Sequence, residues 1–275
     1  MDTTVRTEWP PALCDPTGRR EGKPRTSGKT MVIDKGIGLG AFTDLLETGA
    51  PYIDLIKIGF GTSPLYPAEL LRKKIELAKS RGIVIYPGGT FLEVAVRQGE
   101  VDAFFEMVNL VGFNGIEVSD GTIDMPRDVR NRLIARGREL GLTVVTEFGK
   151  KAAGSDIDIG RFLASFFQDL EYGAELVILE GRESGRGVGL YDEQGKLKDA
   201  VLAEMLERLD SVERIMWEAP LKSQQVHLIK ALGPAVNLGN IPGEDVLSLE
   251  CLRRGLRSDT MGALVPGRDV RSVHA

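Results

Sequence analysis

The chain has 275 residues and a net charge of −5, with 27% charged residues. One domain of roughly 250 residues fits this length, and such a chain buries a core without disulfide or metal staples. The acidic balance argues against nucleic acid as a partner. The sequence shows neither an apolar run of about 18 residues nor a signal-type leader, so we expect no membrane span and a cytoplasmic location.

Cysteine and histidine are scarce in this sequence. Cys14 and Cys251 are far apart and form no ligand-spaced cluster, which argues against a disulfide scaffold or a zinc site. Of the two histidines, His227 lies in a helix-like stretch, where a surface or packing role is expected. A site in this chain is therefore expected to use carboxylates and lysines.

Short apolar, β-branched runs alternate with helix-like stretches along most of the chain. The first 29 residues contain four prolines and little periodicity, which predicts an arm outside the folded domain. Eight apolar runs follow, at 31–36, 53–59, 83–89, 115–121, 143–151, 175–185, 214–220 and 235–240. Apolar residues spaced by three and four predict helices between them, including 67–82, 126–141, 158–173 and 199–210.

Eight strands alternating with helices predict parallel βαβ units, and their number favours closure into a barrel. No G-x-G-x-x-G follows the first strand, which argues against a dinucleotide-binding sheet. We therefore predict an α/β fold with a single (β/α)8 TIM barrel over residues 30–260. A polar arm at 1–29 precedes it, and a tail at 261–275 follows.

Polar side chains gather where the predicted strands end, which is where such barrels carry their active sites. A charge within an apolar strand costs several kcal/mol unless it is paired or binds a ligand. Ion pairs inside the barrel are the structural alternative, but polar ends on seven strands favour a site. The residues are Asp34, Lys35, Lys57, Glu117, Ser119, Asp120, Glu147, Lys150, Lys151, Glu180, Arg182, Glu183, Glu218, Asn237 and Asn240.

Three carboxylates, Glu147, Glu180 and Glu218, end the consecutive strands five, six and seven. Neighbouring strands lie about 4.8 Å apart, so these side chains can converge. Oxygen ligands in a histidine-poor site suit Mg²⁺, which makes this set the candidate metal site. Alternatively, some of the three only orient lysines.

The fifth strand also carries a candidate proton donor. Glu147 and Lys151 share a face if the strand stays extended, whereas Lys150 would point toward the helix layer. A break in register at Gly149 would reverse that choice. A lysine among other cations in a site with little water has a lowered pKa and can transfer a proton.

Two loops are candidate anion sites. The loop GRESGRGVG at 181–189 offers glycine backbone together with Arg182 and Arg186, which could clasp a phosphate. The loop NLGNIPGED at 237–245 leads into a helix expected to begin near Glu244, the usual phosphate position in this fold. Tight turns without a ligand are the alternative for both.

These motifs, in this order, resemble the phosphosulfolactate synthase family of coenzyme M biosynthesis, and the resemblance spans about residues 31–262. Phe60 and Phe148 depart from the family pattern, which has tryptophan and valine there. The matching strings are IDKG (33–36), IDLIKIGFGTS (53–63), YPGGTFLE (86–93), IEVSDG (116–121), TEFGKK (146–151), EGRESGRGVGLYD (180–192), EAPLKSQQV (218–226) and LECLRRGLRSDT (249–260).

The resemblance implies a (β/α)8 barrel and a carbon–sulfur lyase. The implied reaction is the Mg²⁺-dependent addition of sulfite to C3 of phosphoenolpyruvate, which gives (2R)-2-phospho-3-sulfolactate. Two anionic substrates require cations, and we assign protonation of C2 to Lys151. Candidate catalytic residues are Lys151, Lys57 and Lys35; candidate substrate ligands are Lys35, Lys57, Arg182, Arg186, Ser119, Asn237 and Asn240.

Two other functions remain open at this point. One is another Mg²⁺-dependent lyase or aldolase acting on phosphoenolpyruvate or a phosphorylated ketoacid. The other is a non-catalytic barrel that binds a ligand or is associated with stress; a retained proton donor argues against it. We expect a homo-oligomer, either the common dimer or a trimer by family analogy.

Overall fold

The computed structural model describes residues 8–150 and 157–267. Its eight strands confirm the eight predicted from sequence. They are β1 (Thr30–Asp34), β2 (Leu55–Ile58), β3 (Val84–Pro87), β4 (Gly115–Ser119), β5 (Thr143–Phe148), β6 (Leu176–Leu179), β7 (Ile215–Glu218) and β8 (Asn237–Ile241). All lie in one parallel sheet in the order β3-β2-β1-β8-β7-β6-β5-β4.

Helices cover the outside of this sheet. A short helix in the arm, α1 (Pro11–Cys14), precedes the first strand. The others are α2 (Leu39–Gly49), α3 (Ala68–Ser80), α4 (Gly89–Gln98), α5 (Val101–Val111), α6 (Arg127–Glu139), α7 (Ile159–Tyr172), α8 (Asp199–Arg208), α9 (Lys222–Leu232), α10 (Val246–Arg253) and α11 (Ser258–Leu264). The predicted single (β/α)8 barrel is therefore observed.

The two edge strands, β3 and β4, meet through a side chain. Asn114, just before β4, accepts a hydrogen bond from the Ile85 N–H at 2.7 Å and donates one to the Ile83 carbonyl at 3.2 Å. At Gly115 an added Cβ would lie 2.7 Å from Val84, so the strands pack too closely for a side chain there. The side-chain amide of Asn114 thus replaces backbone hydrogen bonds between β3 and β4.

An apolar cluster fills the middle and the amino end of the barrel interior. Met31, Leu55, Tyr86, Val145, Leu176, Ile178 and Met216 form one buried cluster there. Side chains alternate along a strand, so the residue two positions beyond each interior residue points to the same side. Lys57 therefore points to the same side as Leu55, and Glu147 to the same side as Val145. These charged side chains form a layer at the carboxyl ends of the strands.

The arm packs against the amino end of its own barrel. Arg20 pairs with Glu250 of α10 at 3.0 Å, and Arg25 pairs with Asp54 at 3.3 Å. Lys23 donates to the Ile53 carbonyl at 2.6 Å. Residues 1–7 of the predicted arm and 268–275 of the predicted tail lie outside the described residues. The tail interval from 261 begins within α11, which continues to Leu264.

None of the helices among the described residues is both long and apolar enough to cross a membrane.

Candidate active site

One buried lysine at the carboxyl end of the barrel is surrounded by carboxylates. Lys57 of β2 is 5% exposed, and its Nζ lies 3.0 Å from Glu117 Oε2. The same nitrogen donates to Glu147 Oε2 at 3.0 Å and to Glu218 Oε1 at 3.1 Å. These partners come from β4, β5 and β7, so Lys57 ties together three strands on the far side of the barrel.

Burial alone would lower the pKa of Lys57, because an ammonium loses its hydration inside the protein. The charges of Glu117, Glu147 and Glu218 outweigh that effect and hold the pKa of Lys57 well above its ordinary value. Lys57 is therefore a permanent cation at neutral pH. Such a group positions carboxylates and balances their charge, but it gives up a proton poorly.

Backbone N–H groups of the following loops fix the other carboxylate oxygens. Gly89 N–H donates to Glu117 Oε1 at 2.8 Å, and Gly181 N–H donates to Glu218 Oε2 at 2.9 Å. Glu180 Oε1 accepts the N–H of Arg182 at 2.7 Å. Each carboxylate thereby links a strand end to a loop, which holds the layer in one arrangement.

Glycine is required at two places around this layer. At Gly89 an added Cβ would lie 2.7 Å from Glu117 Oε1 and 2.5 Å from Ser119 Oγ. Gly149 has φ +133°, and an added Cβ would lie 2.6 Å from Glu180 Cβ. Any other residue would push the carboxylates out of place.

Glu147, Glu180 and Glu218 converge as predicted. Each is buried and offers one oxygen, and these oxygens all lie within 4.8 Å of one another. Hard oxygen donors in this number suit Mg²⁺. A fourth buried carboxylate, Glu117, shares the Lys57 ammonium with Glu147 and Glu218, so negative charge is concentrated around this set.

A cavity of about 260 Å³ opens above these carboxylates. Three of its lining residues, Phe60, Arg182 and Asn240, have φ of 57°, 59° and 53°. No other non-glycine residue in the described part of the chain has a positive φ. Backbone strain is costly and concentrates where function requires it, so its confinement to one cavity marks this as the working site.

Comparison with known proteins agrees with this geometry. Residues 18–259 match the family described as (2R)-phospho-3-sulfolactate synthase (ComA). The chain belongs to the phosphosulfolactate synthase family.

Named members of the family are similar along almost their whole length. The chain is 41% identical over 248 residues to the phosphosulfolactate synthase of Methanothermobacter thermautotrophicus, covering 90% of this chain and 96% of that one. It is 43% identical over 239 residues to the phosphosulfolactate synthase of Methanocaldococcus jannaschii, covering 86% and 94%. These similarities indicate an enzyme.

A solved structure supports the fold alone. The 3-hexulose-6-phosphate synthase of Salmonella typhimurium superposes with a TM-score of 0.54 at 16% identity, covering 82% of this chain and 98% of that chain.

The structure places some of the predicted substrate ligands in the cavity wall. Lys57, Arg182 and Asn240 line it, together with the three candidate metal ligands. Arg182 is half-buried on the strained turn after β6. The Oδ1 atom of Asn240 is buried and has no hydrogen-bond partner among the described residues. Of the three, Arg182 offers N–H donors to a bound anion, whereas the Oδ1 atom of Asn240 is an acceptor that suits a donor group or a cation.

Other predicted ligands lie elsewhere. Lys35 is exposed, on a turn in which Asp34 Oδ1 accepts the N–H groups of Gly36 at 2.9 Å and Ile37 at 3.0 Å. Arg186 is exposed and does not line the cavity. Ser119 is buried with its hydroxyl donated to Glu93, at 2.5 Å. The structure brings none of the three to the cavity wall.

Asn237 lies at the amino end of β8, away from the site. Its Oδ1 accepts the Lys29 N–H at 2.9 Å, and its Nδ2 donates to the carbonyls of Glu213 at 2.7 Å and Ile215 at 3.1 Å. This amide joins the arm to β7 and β8, so its contacts are structural. His227 pairs with Asp199 at 2.8 Å, in agreement with the surface role expected for it.

The predicted register after β5 is interrupted. The strand ends at Phe148, and Gly149 adopts a positive φ, so the alternation that would align Glu147 with Lys151 does not continue. Lys150 turns toward the loop after β4 rather than the helix layer, donating to the Asp120 carbonyl at 2.8 Å. Lys151 itself lies outside the described residues.

Three residues of the site had no role assigned from sequence, although Glu117 was listed among the polar strand ends. Glu117 binds Lys57, and alternation from Ser119 could have placed it in the charged layer. Glu93 of α4 is buried and accepts the Ser119 hydroxyl and the Thr122 N–H, the latter at 2.8 Å. Arg130 of α6 donates to the Glu147 carbonyl at 3.1 Å. The last two reach the site from helices, where spacing alone gives no signal.

Proposed function

We propose that this chain catalyses the Mg²⁺-dependent addition of sulfite to C3 of phosphoenolpyruvate, giving (2R)-2-phospho-3-sulfolactate. The observation that carries the proposal is the convergence of Glu147, Glu180 and Glu218 beneath a small cavity that Arg182 also lines. Family membership supports the choice of substrates, because the fold alone is shared by many chemistries.

The reaction forms one carbon–sulfur bond and one carbon–hydrogen bond. The sulfur lone pair of sulfite attacks C3, and the electrons of the C2–C3 double bond move to C2 and onto the carboxylate. A proton then reaches C2, and the phosphate ester stays intact. The enzyme must therefore bind two anions, stabilise charge on the substrate carboxylate and deliver one proton to one face of C2.

The carboxylate layer meets the second requirement. Glu147, Glu180 and Glu218 would hold the metal, and bound Mg²⁺ would supply electrostatic stabilisation of the charge that develops on the substrate carboxylate. Lys57 keeps Glu147 and Glu218 in position through its hydrogen bonds. In this proposal Lys57, whose pKa is raised by the neighbouring carboxylates, would contribute positive charge and hold the metal ligands in position.

Arg182 and Lys151 would complete the site. Arg182 offers a guanidinium at the cavity wall, where two parallel N–H groups would bind the phosphate. Glu180 fixes the backbone of Arg182 through the 2.7 Å hydrogen bond. Lys151 follows the end of β5 by three residues and is the proposed donor to C2.

Product analysis tests the proposal directly. The full chain is incubated with phosphoenolpyruvate, sulfite and Mg²⁺, and the mixture is examined by mass spectrometry for a phosphorylated sulfonate. We expect product with Mg²⁺, none after treatment with EDTA, and recovery when Mg²⁺ is restored. Absence of product with sulfite would contradict the proposal. Substrate-dependent trapping by borohydride would instead indicate a Schiff-base aldolase.

A further inference from the structure

A second cavity lies at the opposite end of the barrel. It has a volume of about 830 Å³ and separates the arm from α10 and the turn before β2. The arm contributes Arg20, Lys23 and Arg25, and the barrel side contributes Tyr52 and Arg254. We call it the underside cavity. It shares no lining residue with the candidate active site.

Two arginines of the arm are buried here with unused donors. The side chains of Arg20 and Arg25 are only 4% and 2% exposed. Arg20 pairs with Glu250 and Arg25 with Asp54, yet Arg20 Nη2 and Arg25 Nη1 have no hydrogen-bond acceptor among the described residues. Buried guanidinium N–H groups without acceptors carry a desolvation cost that a bound oxyanion would remove.

Further cations surround these two. Arg254 lines the cavity and contacts Glu250 at 2.7 Å, and Arg253 is fully buried beside it. Burial, followed by repulsion from Arg20, lowers the pKa of Arg253 to about 9. Burial, opposed by Asp54 and reinforced by Arg25, lowers the pKa of Lys23 to about 8. Both shifts arise mainly from burial, and repulsion from a neighbouring arginine adds to each of them.

Among the residues that the structure describes, the carboxylates near the cavity do not balance this charge. The cations are Arg20, Lys23, Arg25, Arg253 and Arg254. Facing them are Asp15, Asp54 and Glu250, together with the exposed Glu21. One positive charge therefore remains when all four carboxylates are counted, and two remain when only the partly or fully buried ones are counted.

We propose that the underside cavity binds a small metabolite through a phosphate group. Its volume is in the range of small-molecule pockets. The aromatic side chains of Trp9 and Tyr52 line the same space and would contact an apolar part of the ligand. A ligand there would contact both the arm and α10, so binding of the ligand would stabilise the packing of the arm against the barrel.

Selenate is a suitable probe, because it has the geometry of the oxyanion and scatters anomalously. Crystals of the full chain grown in chloride are soaked with selenate. We expect an anomalous peak in the underside cavity within hydrogen-bond distance of Arg25 and of Arg20 or Lys23. Peaks confined to the candidate active site, or to the surface as an adventitious ion only, would overturn the proposal.

Calorimetric titration with inorganic phosphate provides the solution test. Lys23→Met removes a cavity cation, and Lys73→Met removes an exposed lysine of α3 that lines neither cavity. Lys23 donates to the carbonyls of Ala50, Ile53 and Arg81, so it would act on the anion through its charge, and loss of that charge should weaken the underside component about tenfold. Lys73→Met should leave it unchanged. Equal affinities of the two variants would overturn the proposal.

Arg254→Met is a second cavity variant in case Lys23→Met misfolds. Circular dichroism and turnover of phosphoenolpyruvate serve as checks on folding, since neither residue belongs to the candidate active site. Failure of the sulfite reaction would leave the underside result intact, because the two cavities are separate.

Discussion

Two asparagines of strand β8 lie three residues apart, are almost fully buried and have different surroundings. Asn237 makes three hydrogen bonds to backbone groups of the arm and β7. Asn240 has a left-handed backbone and a buried Oδ1 atom without a partner among the described residues. The first faces the amino end of the barrel and the second faces the candidate active site.

The same contrast holds for the two ends of the barrel. At the amino end, the amides of Asn114 and Asn237 complete the backbone hydrogen bonding of neighbouring strands. At the carboxyl end, strained residues and crowded carboxylates surround an open cavity. Polar burial at the amino end therefore stabilises the fold. At the carboxyl end it costs stability, as expected for side chains that serve the proposed binding of metal and substrate.

The largest expected effect at the carboxyl end is at Lys151. A positioned general acid contributes about 10²–10⁴-fold in rate, so Lys151→Ala should lower kcat at least about 10²-fold with a smaller change in phosphoenolpyruvate affinity. Lys150→Ala is the matched control. Its ammonium is held by the Asp120 and Ile123 carbonyls at 2.8 and 2.9 Å, so its loss should be milder.

Steady-state kinetics of the two lysine variants distinguish the donors. A larger kcat loss in Lys150→Ala would transfer the donor role to Lys150. If both variants keep full kcat, the proton comes from another source, and the proposed mechanism fails at its central step.

An intermediate effect is expected at Arg182. An arginine–phosphate hydrogen bond contributes about 1.5–3 kcal/mol, so Arg182→Ala should raise the KM for phosphoenolpyruvate about 10- to 100-fold. Arg186→Ala provides the comparison, since Arg186 is exposed and outside the cavity wall. A lowered kcat with unchanged KM in Arg182→Ala would place this arginine at the sulfite position instead.

Substitutions of Asn237 and Asn240 compare the two ends of the barrel directly, and we expect smaller effects from them than from the lysine and arginine variants. Asn237→Ala removes three hydrogen bonds to backbone groups, one of them fully buried, so the free energy of unfolding should fall by about 1–3 kcal/mol while kcat is retained. Asn240→Gly suits the left-handed backbone and should be less destabilising, but it should lower kcat/KM about 2- to 10-fold. Urea unfolding and kinetics measure both, and the reverse pattern would contradict the assignment of the two ends.

The fold was predictable because hydrophobic periodicity and strand number leave few alternatives. The helices predicted at 67–82 and 126–141 are observed as α3 and α6, shortened by one or two residues at each end. The convergence of the three carboxylates followed from strand order alone, since consecutive parallel strands are neighbours.

The other contacts of the site could not be predicted from the order of the strands. Gly149 interrupts β5, so alternation did not extend to Lys150. Asn237 and Asn240 belong to one short strand, and only the position of its ends separates a structural residue from one that lines the cavity. Glu93 and Arg130 act from helices through long-range contacts that have no local sequence signature.

Direct metal binding tests the central claim that the carboxylate layer holds a divalent cation. Mn²⁺ is titrated into the metal-free protein while the free ion is followed by electron paramagnetic resonance. We predict one site that Mg²⁺ displaces, weakened at least about tenfold in Glu180→Gln and unchanged in Glu139→Gln, an exposed residue of α6. Absence of a site, or equal affinity in Glu147→Gln, Glu180→Gln, Glu218→Gln and the wild type, would contradict the account.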